Sequence, residues 1–346
     1  MFLKIKNRIE KELYAYIKAC DKKYRLRETS PLLFQSIREF TLRKGKRIRP
    51  ALFAAAYLGF KKRAPAGFFT TALSLELLHD FMLVHDDIID KSEMRRGKPS
   101  MHSLLSNYLK RHKGAKFTGE DLAIIIGDVM YAMALDAFGS VKEDPRRKEK
   151  TLKKLIQAAF YTGCGEFSEL LLGLKDIGKV TKEDIYKIYD FKTANYTFAS
   201  PLSMGATLAG AGDKEIKLLF NYGINLGRAF QIKDDIIGIF SKTRETGKSN
   251  LTDLKEAKRT LLIWYAYNHT NKAGKTLIEK IMAGSNFTNA LLSKARKVIK
   301  ESAAVEYAKK EITSLLHKSE GLIKASRLKP AFKESLSAFS RGLLTF

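Results

Sequence analysis

Apolar residues recur at three- and four-residue intervals along almost all of the 346 residues, and the strict alternation of a half-buried strand is hard to find. That spacing puts apolar side chains on one stripe of a helix. It predicts an all-α chain. The opening stretch, MFLKIKNRIEKELYAYIKAC, reads as an amphipathic helix rather than a cleavable leader, because it lacks an uninterrupted apolar core and a small-residue cleavage site. Gly, Pro and charge clusters punctuate the pattern at 60–67, 95–100, 111–121, 140–150, 174–184 and 241–250. Thr181 followed by Asp184 predicts a helix start with an acidic residue in its first turn. No internal repeat and no long linker divides the sequence, so the expectation is a single helical domain over 1–346.

Charge narrows the partners. The chain carries 63 Lys and Arg against 37 Asp and Glu, a net charge of +26. Such a balance suits nucleic acid, an acidic membrane surface or a small polyanion such as a diphosphate, or else a lysine-rich solvated surface. Cys20 and Cys164 are too few for a disulfide framework, which points to a reducing cytoplasm. The longest apolar stretch, Leu122 to Phe138, is interrupted by Asp128 and Asp136, so no membrane span is expected.

Against that basic background, LVHDDIID at 83–90 sets three aspartates into an apolar segment. On a helix Asp86 and Asp90 share a face, and Asp87 lies ~100° round from Asp86. Carboxylates so close call for a cation. Their hard oxygens suit Mg²⁺, which binds through one or two carboxylates and leaves positions for substrate phosphates. Asp234 and Asp235, in GRAFQIKDDIIGIF on an expected helix over 221–240, repeat the pair. Two such helices facing each other in a bundle would line a metal pocket. Either pair alone reads equally well as a helix cap or a solvated face. Basic residues flank both pairs. RKGKRIRP (43–50) precedes a helix expected from about Pro50, where Lys46, Arg47, Arg49 and exposed amides could hold a phosphate. Arg95 and Arg96 follow the first pair, and Lys248 and Lys258 follow the second. Arginine forks match phosphate oxygens, and lysines act as point charges.

GKRIRP, HDDIIDKSEMRRGKP, KTANYTF and FQIKDDIIGIFSKTRETGKSNLTDLKEAKRT resemble, in order, the motifs of the trans-isoprenyl diphosphate synthases, or polyprenyl synthetase family. The resemblance covers about 40–265, with additional helices expected over 266–346. It implies an all-helical bundle of the isoprenoid-synthase type around a central cavity, assembled as a homodimer, that joins an allylic diphosphate to isopentenyl diphosphate. It implies Mg²⁺, about three ions per active site, held by Asp86, Asp90 and Asp234, with Asp87 and Asp235 in support. Arg95, Lys192, Thr193, Gln231, Lys248 and Lys258 match the groups that hold the allylic diphosphate, Lys192 counting also among the catalytic residues. Lys46, Arg49, His79 and Arg96 match the isopentenyl diphosphate site. Geometry agrees for His79, seven residues before Asp86 and ~20° off the same face. Two departures stand out: Gly238 replaces a third aspartate in the second motif, and GEFSEL (165–170) stands where the family has Gly-Gln and an aspartate, leaving Glu166 and Glu169 as the polar substitutes.

The product tail is expected to grow beside the first aspartate helix onto a floor of bulky side chains. Met82 lies one turn beneath Asp86, and Phe81 ~140° round. An aromatic five positions before the motif, with a non-aromatic at four, resembles the archaeal-type geranylgeranyl diphosphate synthases. Farnesyl and geranylfarnesyl diphosphate are the alternative products. A class I terpene synthase would share the metal motif but have no use for GKRIRP. An HD-type phosphohydrolase, suggested by His79-Asp80 and His85-Asp86, needs histidines dispersed along the chain, and the sequence has six in all. No nucleic-acid-binding module accompanies the charge, so nucleic acid is not expected as a partner; peripheral contact with an anionic membrane is the other partner the charge allows.

Overall fold

The computed structural model describes residues 1–112, 114–240, 257–284 and 288–344. The fold is all-α, and among the described residues a single hairpin of two short strands interrupts the helices. The chain divides into two compact units, Met1–Leu152 with Met204–Gly210, and Lys153–Ser203 with Ala211–Phe346.

The first unit contains α1 (Phe2–Tyr24), α2 (Leu26–Thr29), α3 (Pro31–Thr41), α4 (Ile48–Phe60), α5 (Phe68–Ile89), strands β1 (Met94–Arg95) and β2 (Lys98–Pro99), α6 (Met101–Leu109), α7 (Gly119–Phe138) and the start of α8 (Pro145–Leu172). α1 is the amphipathic helix read from the sequence, burying Ile5, Ile9, Leu13, Ile17 and Cys20. Ser30 caps α3 with Pro31 at its first position, and Thr118 and Asp121 form a capping box that opens α7. α5 packs on α1, α4 and α7, which explains why its first three turns are apolar nearly all round. α4 begins at Ile48 rather than at Pro50, its cap residue Arg47 held at φ 52°. The break expected at 95–100 is the hairpin. Met94 pairs with Pro99 and Arg95 with Lys98 across a turn whose central residues, Arg96 and Gly97, have φ of 55° and 75°. Two positive φ values give the primed turn that matches strand twist, and holding a non-glycine there costs about 1 kcal/mol.

The second unit contains the rest of α8, a 3₁₀ turn (Ile177–Lys179), α9 (Lys182–Ile188), a π-helix (Tyr189–Ala199), the start of α10 (Ser200–Leu208), α11 (Asp213–Phe240), α12 (Leu261–His269), α13 (Lys272–Met282), α14 (Asn289–Glu301), α15 (Ala304–Ala325) and α16 (Pro330–Leu344). Thr181 and Asp184 form the expected capping box at the start of α9. α11 starts eight residues earlier than the sequence pattern suggested, and it packs on α15 and on the π-helix. The contact with the π-helix is close because of two glycines. A Cβ on Gly223 would lie 2.4 Å from Ala199 Cα, and one on Gly227 2.3 Å from Ala194 Cα. Among the described residues no helix is long and apolar enough to cross a membrane. The break expected at 241–250 lies outside the described residues.

Candidate active site

The first aspartate cluster sits on the last turn of α5, where Asp86 and Asp87 are helical and Asp90 is the cap. A helix C-terminus repels negative charge, so three carboxylates there need compensation. Arg95, brought back by the hairpin, supplies part of it. Its Nε donates to Asp87 at 2.8 and 3.1 Å, and its Nη2 donates to Asp87 and, at 3.2 Å, to Asp86. Asp87 is fully buried. The pair thus divides its labour: Asp87 anchors Arg95, while Asp86 and Asp90 are half-exposed, with a carboxylate oxygen of each within 4.8 Å of the other. Two hard oxygen donors at that spacing fit one Mg²⁺ with positions left for phosphate.

Behind this cluster lies a basic one. Arg49 and Arg96 lie close to His79, and burial first, then the charges of Arg49 and Arg96, push the imidazole well below its usual range. Arg49, His79 and Arg96, expected together, are therefore neighbours in the first unit, while Lys46 is exposed on the turn before α4. Arg47 is a correction to the expectation of a phosphate contact. Its side chain is fully buried, and it donates to Glu76 at 2.6 Å, to Glu10 at 2.9 Å, and to the carbonyls of Thr41 and Arg43. Its charge is spent internally. Glu76 and Asp80, one turn apart on α5, were not singled out from the sequence. Both are buried, and Arg96 Nη2 lies 3.8 Å from each. Asp80 makes no hydrogen bond. Burial first, then the charge of Glu76, raises its carboxyl well above the usual range, against the pull of Arg96, Arg47 and Arg49. An acidic pair at four-residue spacing inside an apolar helix was the available signal.

The second cluster is built in the second unit. Gly223, Gly227, Gln231 and Asp235 follow one another at four-residue spacing, so they form one stripe of α11. The two glycines let the backbones meet, and the next two residues of the stripe then face the π-helix. Thr193 donates to Gln231 Oε1 at 2.7 Å, and Gln231 Nε2 donates to Asp235 Oδ1 at 3.0 Å. Asp235 is buried and also accepts a hydrogen bond from the Tyr189 hydroxyl, while Asp234 is exposed. The division seen in the first pair recurs: one carboxylate is buried and its neighbour is more exposed. Lys192 donates to Glu166 at 2.7 Å and to Glu169 at 2.5 Å, so the two glutamates of GEFSEL hold its ammonium. Gly165 lets α8 come close to the π-helix there, since a Cβ on it would lie 2.8 Å from the backbone nitrogen of Lys192. Lys192, Thr193, Gln231, Asp235 and Lys258 line a cleft that opens to solvent. Lys248 lies outside the described residues.

The family model for polyprenyl synthetase matches residues 30–300. A short chain isoprenyl diphosphate synthase of Methanocaldococcus jannaschii is 29% identical over 305 residues, covering 88% of this chain and 84% of the relative. A geranylfarnesyl diphosphate synthase of Aeropyrum pernix is 34% identical over 269 residues, covering 76% of this chain and 78% of the relative. Among solved structures, a geranylgeranyl pyrophosphate synthase from Corynebacterium glutamicum, complexed with isoprenyl diphosphate and magnesium, matches with a TM-score of 0.89 at 25% identity, covering 99% of this chain and 98% of that one. Two aspartate pairs, each with one buried and one more exposed member, a polar cleft lined by Lys192 and Lys258, and a family model spanning most of the chain lead to one assignment: the protein belongs to the polyprenyl synthetase family.

Proposed function

We propose that the protein condenses isopentenyl diphosphate with an allylic diphosphate to give a short trans-prenyl diphosphate, with geranylgeranyl diphosphate as the product. The observation that carries this reading is the half-exposed pair Asp86 and Asp90, with a carboxylate oxygen of each within 4.8 Å of the other at the end of α5. Asp86, Asp90 and Asp234 are the carboxylates that would hold Mg²⁺, whose charge draws electron density from the leaving diphosphate. Lys192, Gln231 and Lys258 offer donors to the same diphosphate, aimed at the charge that grows as the allylic C–O bond ionises, and Thr193, whose hydroxyl donates to Gln231, holds that amide in place. Arg49, Arg96 and His79 offer a cationic seat to the isopentenyl diphosphate, with Lys46 at its exposed edge. The neutral imidazole can donate one hydrogen bond there without adding charge. The isopentenyl double bond attacks the allylic cation, and the departing diphosphate takes the proton that restores the alkene. Apolar walls such as those of α5 keep out water that would quench the cation.

Relatives named for different chain lengths leave the product to the residues beneath the first motif. Phe81 meets His85 edge-on with ring centroids 4.7 Å apart and lies tilted against Tyr131 of α7 at 5.2 Å, so this bulky side chain is braced from two sides. The working assembly is read as a homodimer. In support, α7 exposes Ile124, Ile125 and Leu135, and α8 exposes Ile156, Phe160, Phe167 and Leu171 along one stripe, apolar surfaces suited to a second copy. Free Cys20 and Cys164 agree with a reducing cytoplasm.

The test is direct. Purified protein is supplied with labelled isopentenyl diphosphate, Mg²⁺ and each allylic starter in turn, and the dephosphorylated products are sized by chromatography. Longer prenyl alcohols that require isopentenyl diphosphate and vanish with chelator are expected. Hydrocarbon formed without isopentenyl diphosphate would mean a terpene synthase instead.

A further inference from the structure

Tyr189 is buried at the start of the π-helix, three residues before Lys192. Its hydroxyl donates to Asp235 Oδ2 and accepts the backbone N–H of Leu261 at 2.9 Å. Leu261 opens α12, so that N–H is one of the donors a helix start leaves without a partner. Thr260, the cap residue, spends its own hydroxyl on Ile263. Asp235 is thus fixed from two sides, through Tyr189 at one oxygen and through Gln231 at the other, and Gln231 is in turn held by Thr193. The carboxylate also settles the amide of Gln231, because only the NH₂ can face it. Burial first, then the charge of Asp235, pushes the phenol well above its usual range, which keeps it a donor.

We propose that Tyr189 is a positioning residue for the allylic diphosphate. It ties Asp235 and the first amide of α12 to one oxygen, and so sets the second aspartate pair and the Lys258–Thr260 segment in register along the cleft. The inference rests on the prenyl transfer proposed above. Asp234 precedes Asp235 and points ~100° away from it on α11, so the direction in which Asp234 is offered follows from where Asp235 is anchored. Lys258 lies three residues before Leu261, so the same hydroxyl limits where its ammonium can reach. Groups that orient the residues of such a site, without touching the ligand, commonly matter by ten- to a hundredfold.

Tyr189→Phe keeps the ring and deletes the oxygen. The readout is calorimetric binding of an allylic thiolodiphosphate, which does not ionise, in the presence of Mg²⁺, alongside the KM for isopentenyl diphosphate. The expected result is a Kd for the analogue raised about tenfold with the isopentenyl KM unchanged. Asp235→Asn tests the same link from its other end and is expected to weaken the analogue similarly, and the double variant to be no weaker than D235N alone. Unchanged analogue binding in Y189F, whether or not its melting temperature falls, would reduce Tyr189 to a packing residue and overturn the proposal. So would losses that simply add in the double variant. Wild-type protein that binds the analogue but never consumes isopentenyl diphosphate would instead overturn the reaction itself, a failure distinguishable from either.

Discussion

Arg95 donates to both oxygens of Asp87 but touches Asp86 at only one, through Nη2 at 3.2 Å. Adjacent aspartates in one motif therefore have different work. Asp87 has no exposed surface and serves as the counter-ion that brings the hairpin back against α5, whereas Asp86 is half-exposed. Asp235 and Asp234 repeat the arrangement with a phenol and an amide in place of the guanidinium.

Asp87→Ala and Asp86→Ala should fail in different ways. Removing Asp87 leaves the largely buried Arg95 without its main partner and is expected to cost about 3 kcal/mol in urea denaturation, with activity falling as a consequence. Removing Asp86 should change stability by less than about 1 kcal/mol while lowering turnover at least a hundredfold. Equal stability losses would mean that the two carboxylates are not divided in this way.

Arg47→Ala and Arg49→Ala offer a second contrast. Arg47 holds Glu10 and Glu76 from a fully buried position, so its loss strands buried charge and should destabilise by about 3 kcal/mol or more. Arg49→Ala is expected to raise the KM for isopentenyl diphosphate about tenfold or more, with little effect on the melting temperature. A raised isopentenyl KM in a stable Arg47→Ala protein would return Arg47 to the phosphate site.

Asp80 predicts a pH dependence of stability. Its carboxyl is raised above an ordinary value of 3.8 by burial and by Glu76. The folded protein therefore holds a proton that the unfolded chain releases, and stability falls as pH rises from about 4 toward the folded-state value. Asp80→Asn lacks that loss and should be more stable than the wild type at pH 8, with the gap narrowing toward pH 4. Urea denaturation at several pH values measures it; a gap that does not grow with pH would show that Asp80 is ionised in partnership with Arg96.

Product length provides the last test. Phe81 is braced by His85 and by Tyr131, so Phe81→Ala should open space toward α7 and lengthen the prenyl chain by at least one isoprene unit. Met82→Ala, on the face of Asp86 itself, is the comparison. An unchanged profile on reversed-phase chromatography for Phe81→Ala would move the floor elsewhere.

Much of this molecule was legible in its sequence. Apolar spacing predicted the helices, Thr181 with Asp184 marked the start of α9, and the aspartate pairs with their flanking bases pointed to diphosphate chemistry. These signals are local: a helix needs only its own periodicity and caps, and a motif needs only residue types in order. What the sequence left open depended on direction. Asp86 and Asp87 are ~100° apart on any helix, but α5 is wrapped on several sides, so only its packing decides which of them is buried. The same holds for Arg47, whose partners Glu10 and Glu76 come from α1 and α5. It holds too for Tyr189, which meets Asp235 and Leu261 only because Gly223 and Gly227 let α11 approach a widened helix. The chain's own periodicity and motif order determined the helices and the chemistry; long-range packing decided which carboxylates and cations are anchored and which are offered, because hydrogen-bond partners far apart in sequence are chosen only when the backbone brings them together.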